Sequence, residues 1–171
     1  MISGSHDGLP GVVNGNEFLS LILADMLRII WARILYMWGS LHRNFGNRSN
    51  FRREHHHAVR RFSQAYELDP GLREARLDRG IILYRELGLI DEAKADFDAL
   101  LEDDPAYGPA LLNRAMIAQE RGHYRLSLAD LDAYLALPKE DDEYWRIADR
   151  TASLLRELVA DLDDLSAGQA G

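Results

Sequence analysis

Three landmarks in this chain return at one spacing. In AVRRFSQAYELDP (58–70) and AKADFDALLEDDP (93–105), Ala58 and Ala93, Phe62 and Phe97, and Pro70 and Pro105 each stand 35 residues apart. A third copy, SLADLDAYLALP (127–138), follows at about 34, with Ser127, Leu131 and Pro138 in the matching places. Gly88 and Gly122 also repeat at 34. A period of this size is the mark of stacked supersecondary units, none of which can bury its apolar face alone.

Each unit reads as two helices. In LREARLDRGIILYREL, Leu77, Gly80 or Ile81, and Tyr84 share one helical face, and Leu87-Gly88 then breaks the helix. Asp91 and Glu92 open the next helix, where carboxylates complement the dipole. Ala93, Phe97, Leu100 and Leu101 form its apolar stripe, and Asp104-Pro105 ends it. The following copy repeats the scheme: Leu111, Leu112, Ala115 and Ala118, the break at Arg121-Gly122, then Tyr124, Leu128, Leu131 and Leu135. Ala58, Ala93, Gly80 and Ala115 let helices approach closely, while Phe62 and Phe97 fill the space between units.

Over residues 51–138 this pattern resembles the tetratricopeptide repeat (TPR), with A-x3-F and its following proline present twice. The departures are local. The family's tryptophan is replaced by leucines near Leu77 and Leu112, Gly80 to Gly88 is one residue longer than the family spacing, and Ser127 and Leu131 soften the last copy. The resemblance implies an all-α helical-hairpin solenoid of about three repeats, the first irregular. It also implies a concave groove for a partner peptide or helix, lined by Leu77, Asp78, Ile81, Tyr84 and Arg85, then by Leu112, Asn113, Met116, Gln119 and Glu120. Some TPR proteins bond a ligand backbone through a residue of the Asn113 type. Leu77 and Leu112 stand where the family's clamp for chaperone tails needs Lys or Arg, so that specialisation is set aside.

The chain has 171 residues, the size of one domain, and no cysteine, which removes disulfides, thiolate metal sites and cysteine nucleophiles. Its charge is uneven. Through Arg61 there are eight arginines against four carboxylates, a net of +4, leaving −12 for the rest of a chain whose total is −8. Nucleic acid is a poor partner for so acidic a body. Lysine appears only as Lys94 and Lys139, a usage typical of GC-rich bacterial genomes, and the chain resembles small bacterial TPR proteins.

Other chemistry finds little footing. His55, His56 and His57 point about 100° apart on a helix and cannot converge on one ion, so they read as a solvated or membrane-facing basic surface. The acidic runs at 102–104, 139–143 and 161–164 lack the alternating ligands and glycine of a calcium loop. No phosphate loop, nucleophile elbow or paired His/carboxylate motif is present. The expectation is a non-catalytic scaffold without cofactor or metal.

The stretch LILADMLRIIWARILYMW (21–38) carries Asp25, Arg28 and Arg33 inside an apolar run. On a helical wheel the charges gather with Tyr36, Ser40 and Arg43, while Leu19, Leu23, Met26, Leu27, Ile30, Trp31, Ile34, Met37, Trp38 and Leu41 cover the opposite half. A membrane span would bury three charges at about 2.5–3.5 kcal/mol each. The Asn14–Glu17 pair has capping-box spacing, and no basic n-region precedes the run as a secretory signal requires. The segment therefore reads as an amphipathic docking helix for a partner or a membrane face, through Leu23, Leu27, Ile30, Trp31, Ile34 and Trp38. Its final turns, bringing Trp38, Leu41 and Phe45, would complete the first repeat, whose second helix otherwise lacks a mate.

The organisation expected is a disordered N-terminus (1–15), a long amphipathic helix (16–45), repeats (46–138), a capping helix (139–164) and a disordered tail (165–171). Tyr144, Ile147 or Ala148, Leu155, Leu158 and Leu162 would form the contact stripe of the cap. The expected location is cytoplasmic, peripheral to or anchored at a membrane; the alternative within this class is a membrane-anchored assembly factor.

Overall fold

The computed structural model describes residues 15–138 and 143–168, with side chains described up to residue 165. Among them the chain is all-helical, in seven α-helices: α1 (Gly15–Ser49), α2 (Arg52–Leu68), α3 (Arg73–Ile82), α4 (Ile90–Asp103), α5 (Gly108–Glu120), α6 (Tyr124–Leu135) and α7 (Glu143–Gly168). They stack as three hairpins, α1/α2, α3/α4 and α5/α6, with α7 closing the end against α6.

The recurring residues set the joints. Pro70 and Pro105 hold Asp69 and Asp104 extended, so α2 and α4 stop there. Each aspartate then accepts the backbone N–H two residues on, Gly71 and Ala106, both at 3.1 Å, which turns the chain into the next hairpin. Within the later hairpins, Gly88 (φ 67°) and Gly122 (φ 73°) supply the left-handed residue after the first helix. The core follows the apolar stripes, with Ala58, Phe62, Ala93, Phe97 and Leu100 fully buried.

The first hairpin corrects an expectation. Trp38, Leu41 and Phe45 are 49–56% exposed, and α1 meets α2 instead through Ala32, Leu35, Gly39 and Gly46. Sterics decide this. A Cβ at Gly39 would stand 2.6 Å from the Phe62 ring, a gap no larger side chain fits. Gly46 receives the His55 ring in the same way, so His55 is buried at 3% exposure and not solvated, while His56 is exposed and His57 stacks on His42 with centroids 5.2 Å apart. The polar side of α1 thus faces the body: Tyr36 donates to Asp78 at 2.9 Å, and Arg43 pairs with it at 2.7 Å.

At the other end α7 buries Ala148, Ala152 and Leu155 against Ala115 and Leu131. Tyr144 and Ile147 are exposed, and Leu158 and Leu162 partly so, which narrows the expected stripe to Ala148, Ala152 and Leu155. Helix α7 runs to Gly168, beyond the point where the sequence places a tail, and α1 opens at Gly15. Asn14, residues 1–13, the acidic link 139–142 and residues 169–171 lie outside the described residues. Among those described, no helix is long and apolar enough to cross a membrane.

Candidate partner-binding groove

Helices α3 and α5, the first members of their hairpins, lie in register. Leu77 with Leu112, Asp78 with Asn113, Ile81 with Met116, Tyr84 with Gln119 and Arg85 with Glu120 are each 35 apart. Leu77 and Ile81 are half-buried against the core. Asp78 is occupied, since Tyr36 and Arg43 both reach it. The Tyr84 hydroxyl donates to the Glu120 carboxylate at 2.7 Å, and Arg85 lies 3.8 Å from the Met116 sulfur. Burial, followed by the Glu120 carboxylate, pushes the Tyr84 phenol up to about 12.

Tyr84 and Arg85 stand in an irregular turn. Helix α3 ends in a π-helical turn, Leu83–Leu87, before Gly88. The extra residue between Gly80 and Gly88, compared with Ala115 to Gly122, is accommodated by this widening. Within the turn the Tyr84 hydroxyl reaches Glu120 and Arg85 reaches Met116 on α5.

Two cavities open along this face. One, of about 490 Å³, is walled by Ile81, Arg85, Leu112 and Asn113, and on its far side by Tyr134, Leu137, Tyr144 and Trp145. The other, of about 240 Å³, lies between Leu112, Asn113, Met116 and Gln119 on α5 and Ile147, Ala148 and Thr151 on α7. Asn113 lines both. It is only 8% exposed; its Nδ2 donates to the Pro109 carbonyl at 2.8 Å, and its buried Oδ1 has no hydrogen-bond partner among the described residues. Of the far wall, Tyr134 and Leu137 belong to the third repeat copy, while Tyr144 and Trp145 are not legible in the repeat pattern, because their place depends on where α7 folds back.

The docking residues sit elsewhere. Leu23, Leu27, Ile30, Trp31 and Trp38 are about half exposed or more, and Ile34 is half-buried, all on α1 and none in either cavity. Among the described residues no group of three or more His, Asp or Glu side chains is placed to hold a metal ion.

No protein-family model matches the sequence. The architecture is better marked. The TPR domain of Arabidopsis OM64 superposes on 76% of this chain and 98% of its own length, with a TM-score of 0.60 and 18% sequence identity. The fold is a TPR solenoid. In TPR terms α1/α2, α3/α4 and α5/α6 are the three repeats, α7 is the terminal cap, and the cavities lie on the face formed by the first helices of the second and third repeats.

Proposed function

We propose that this chain is a non-catalytic protein-interaction scaffold whose TPR groove receives a peptide or helix segment of a partner protein. One observation carries the reading: Asn113 Oδ1 is a buried acceptor without a donor among the described residues, in the wall of a largely apolar cavity. Leaving such a group unpaired costs about 1–3 kcal/mol, which a ligand N–H would recover. A backbone amide supplies that donor, and an aliphatic or aromatic side chain of the same segment fills the 490 Å³ cavity between Leu112 and Trp145. The exposed apolar face of α1 adds a second attachment, to a protein or membrane face, so that the scaffold holds its groove partner at a fixed place.

Peptides selected by display on the full chain test the groove. Their affinities, measured by calorimetry, should fall about tenfold or more for Asn113→Ala combined with Tyr84→Ala, with helicity unchanged. Equal affinity for the wild type and the double variant would sink the groove reading.

A further inference from the structure

The first half of α1 is unlike every other element of the fold. Residues 15–31 are exposed on all sides, and they include Phe18, Leu19, Leu21, Ile22, Leu23, Met26, Leu27, Ile29, Ile30 and Trp31. From Leu19 the stripe Leu23, Met26, Ile30, Met37 and Leu41 continues past the overhang along the outer side of the first hairpin, still exposed. It lies opposite Ala32, Leu35, Gly39 and Gly46, which pack on the body. At 1.5 Å per residue the stripe is about 33 Å long. Asp25, Arg28 and Arg33 fall off it, so a helix lying flat need not bury them.

The surroundings say what covers this face. Arg33, Arg48, Arg53 and Arg60 are exposed and form no ion pair with a carboxylate among the described residues. In the later repeats Arg73, Arg114 and Arg121 each meet an aspartate, while Arg85 lies against the Met116 sulfur. Arg61 of α2 lies over the Trp38 ring at 5.2 Å, and Arg60 bonds His57, which stacks on His42 of α1, so this basic side of α2 borders the edge of the apolar face. Trp31 and Trp38, two turns apart, mark one edge of the apolar face, the placement of aromatic residues at a water–lipid boundary. A second copy of the chain on this face would bring two regions of net +4 together, which repulsion opposes.

We propose that α1 lies in the plane of an anionic lipid bilayer surface. Its apolar stripe enters the acyl boundary, Arg33, Arg48, Arg53 and Arg60 meet the headgroups, and the acidic repeats are held away from the membrane. This deepens the docking role given to α1 and is independent of what the groove binds.

The test uses the full chain with vesicles of zwitterionic lipid alone or mixed with anionic lipid. With Trp145→Phe, the remaining tryptophans are Trp31 and Trp38, so fluorescence reports α1 alone. Co-sedimentation with anionic vesicles, weakened by salt, is expected, together with a blue shift and quenching by brominated acyl chains. Leu23→Glu with Ile30→Glu should abolish binding, and Arg53→Glu or Arg60→Glu should each weaken it about fivefold or more. These side chains are exposed, so circular dichroism should be unchanged. Absence of vesicle binding overturns the proposal, as does equal, salt-indifferent binding to zwitterionic vesicles. Self-association in sedimentation that Leu23→Glu and Ile30→Glu abolish also overturns it, in favour of a second copy. Display-selected peptides should bind the Leu23→Glu/Ile30→Glu variant as they bind the wild type, so failure here and failure of the groove reading are read separately.

Discussion

Arg114 lays its guanidinium across both carboxylate oxygens of Asp130, Nε at 2.9 Å and Nη2 at 2.7 Å, while Nη1 donates to Asp98 at 3.0 Å. Thirty-five residues earlier Arg79 makes the same fork on Asp96 and sends Nη1 to Ser63 at 2.7 Å. Each arginine stands immediately before the small residue of its helix, Ala115 or Gly80. It thereby ties its own hairpin and also binds it to the second helix of the hairpin before. The first repeat carries Trp38 and Arg61 at these two places, and there the arginine stacks on the indole instead.

The Arg114–Asp130 fork is partly buried, with side chains 29% and 11% exposed. Asp130→Asn takes away the carboxylate that holds Nε and Nη2 of Arg114 and leaves Asp98 to hold Nη1, so a loss of about 1.5–3 kcal/mol is expected. Replacing both residues by Met and Leu should recover part of that loss, because the unmatched guanidinium is gone while Asp98, deprived of Arg114, keeps Lys94. Urea melts of the single and double variants check this. A double variant no more stable than Asp130→Asn would mean the pair contributes more than its own desolvation cost.

Gly80 and Phe97 predict opposite responses to size. A Cβ at Gly80 would stand 2.7 Å from the Phe97 ring, so Gly80→Ala should destabilise by about 1–3 kcal/mol even though alanine favours helix. Phe97→Ala leaves a cavity in a fully buried site and should cost about 3–5 kcal/mol. Combined, the alanine methyl enters the vacated space, and the double loss should fall short of the sum of the singles. Additive losses in thermal melts would contradict this packing.

The period carried most of the fold because Pro70, Pro105, Phe62 and Phe97 each do one mechanical job at a fixed place. It said less about α1. Gly39 and Gly46 carry no apolar signal, and glycine in a helix interior costs about 1 kcal/mol against alanine. Here the cost is offset by the Phe62 and His55 rings they admit. Amphipathicity misleads in the same helix, because its apolar face turns away from the body and its polar face, through Tyr36 and Arg43, toward it. In the proposed groove, the residues from α3 and α5 follow from the resemblance to the TPR family. Trp145 and Tyr144 do not, as their place is set by how α7 packs on Ala115 and Leu131.

The π turn Leu83–Leu87 yields a prediction about function separable from stability. Deleting exposed Glu86 restores the spacing found between Ala115 and Gly122 and lets α3 finish as an α-helix. The fold should survive, judged by helicity and a cooperative melt. The Tyr84 hydroxyl should lose its 2.7 Å bond to Glu120, visible as a fall of the phenol from about 12 toward the ordinary value near 10 in an ultraviolet titration. Affinity for display-selected peptides should drop with it. An unshifted phenol would show that the turn does not position Tyr84.

Acid should loosen the joint between the second and third repeats. Burial raises the Asp98 carboxyl, but the hydrogen bonds from Lys94 and Arg114 outweigh it and hold the group below its usual 3.8. A carboxyl depressed in the folded state contributes stability above its unfolded pKa, and that contribution is lost as pH falls through the folded one. The stability difference between wild type and Asp98→Asn should therefore be constant from about pH 5 to 7 and shrink below about pH 4. Urea melts at a series of pH values measure it. Glu54, lowered first by its hydrogen bond to His42, shifts in the same direction, so Asp98→Asn should retain some acid sensitivity, which Glu54→Gln then reduces. A difference that persisted unchanged at pH about 3 would place the Asp98 contribution in packing, not in its charge.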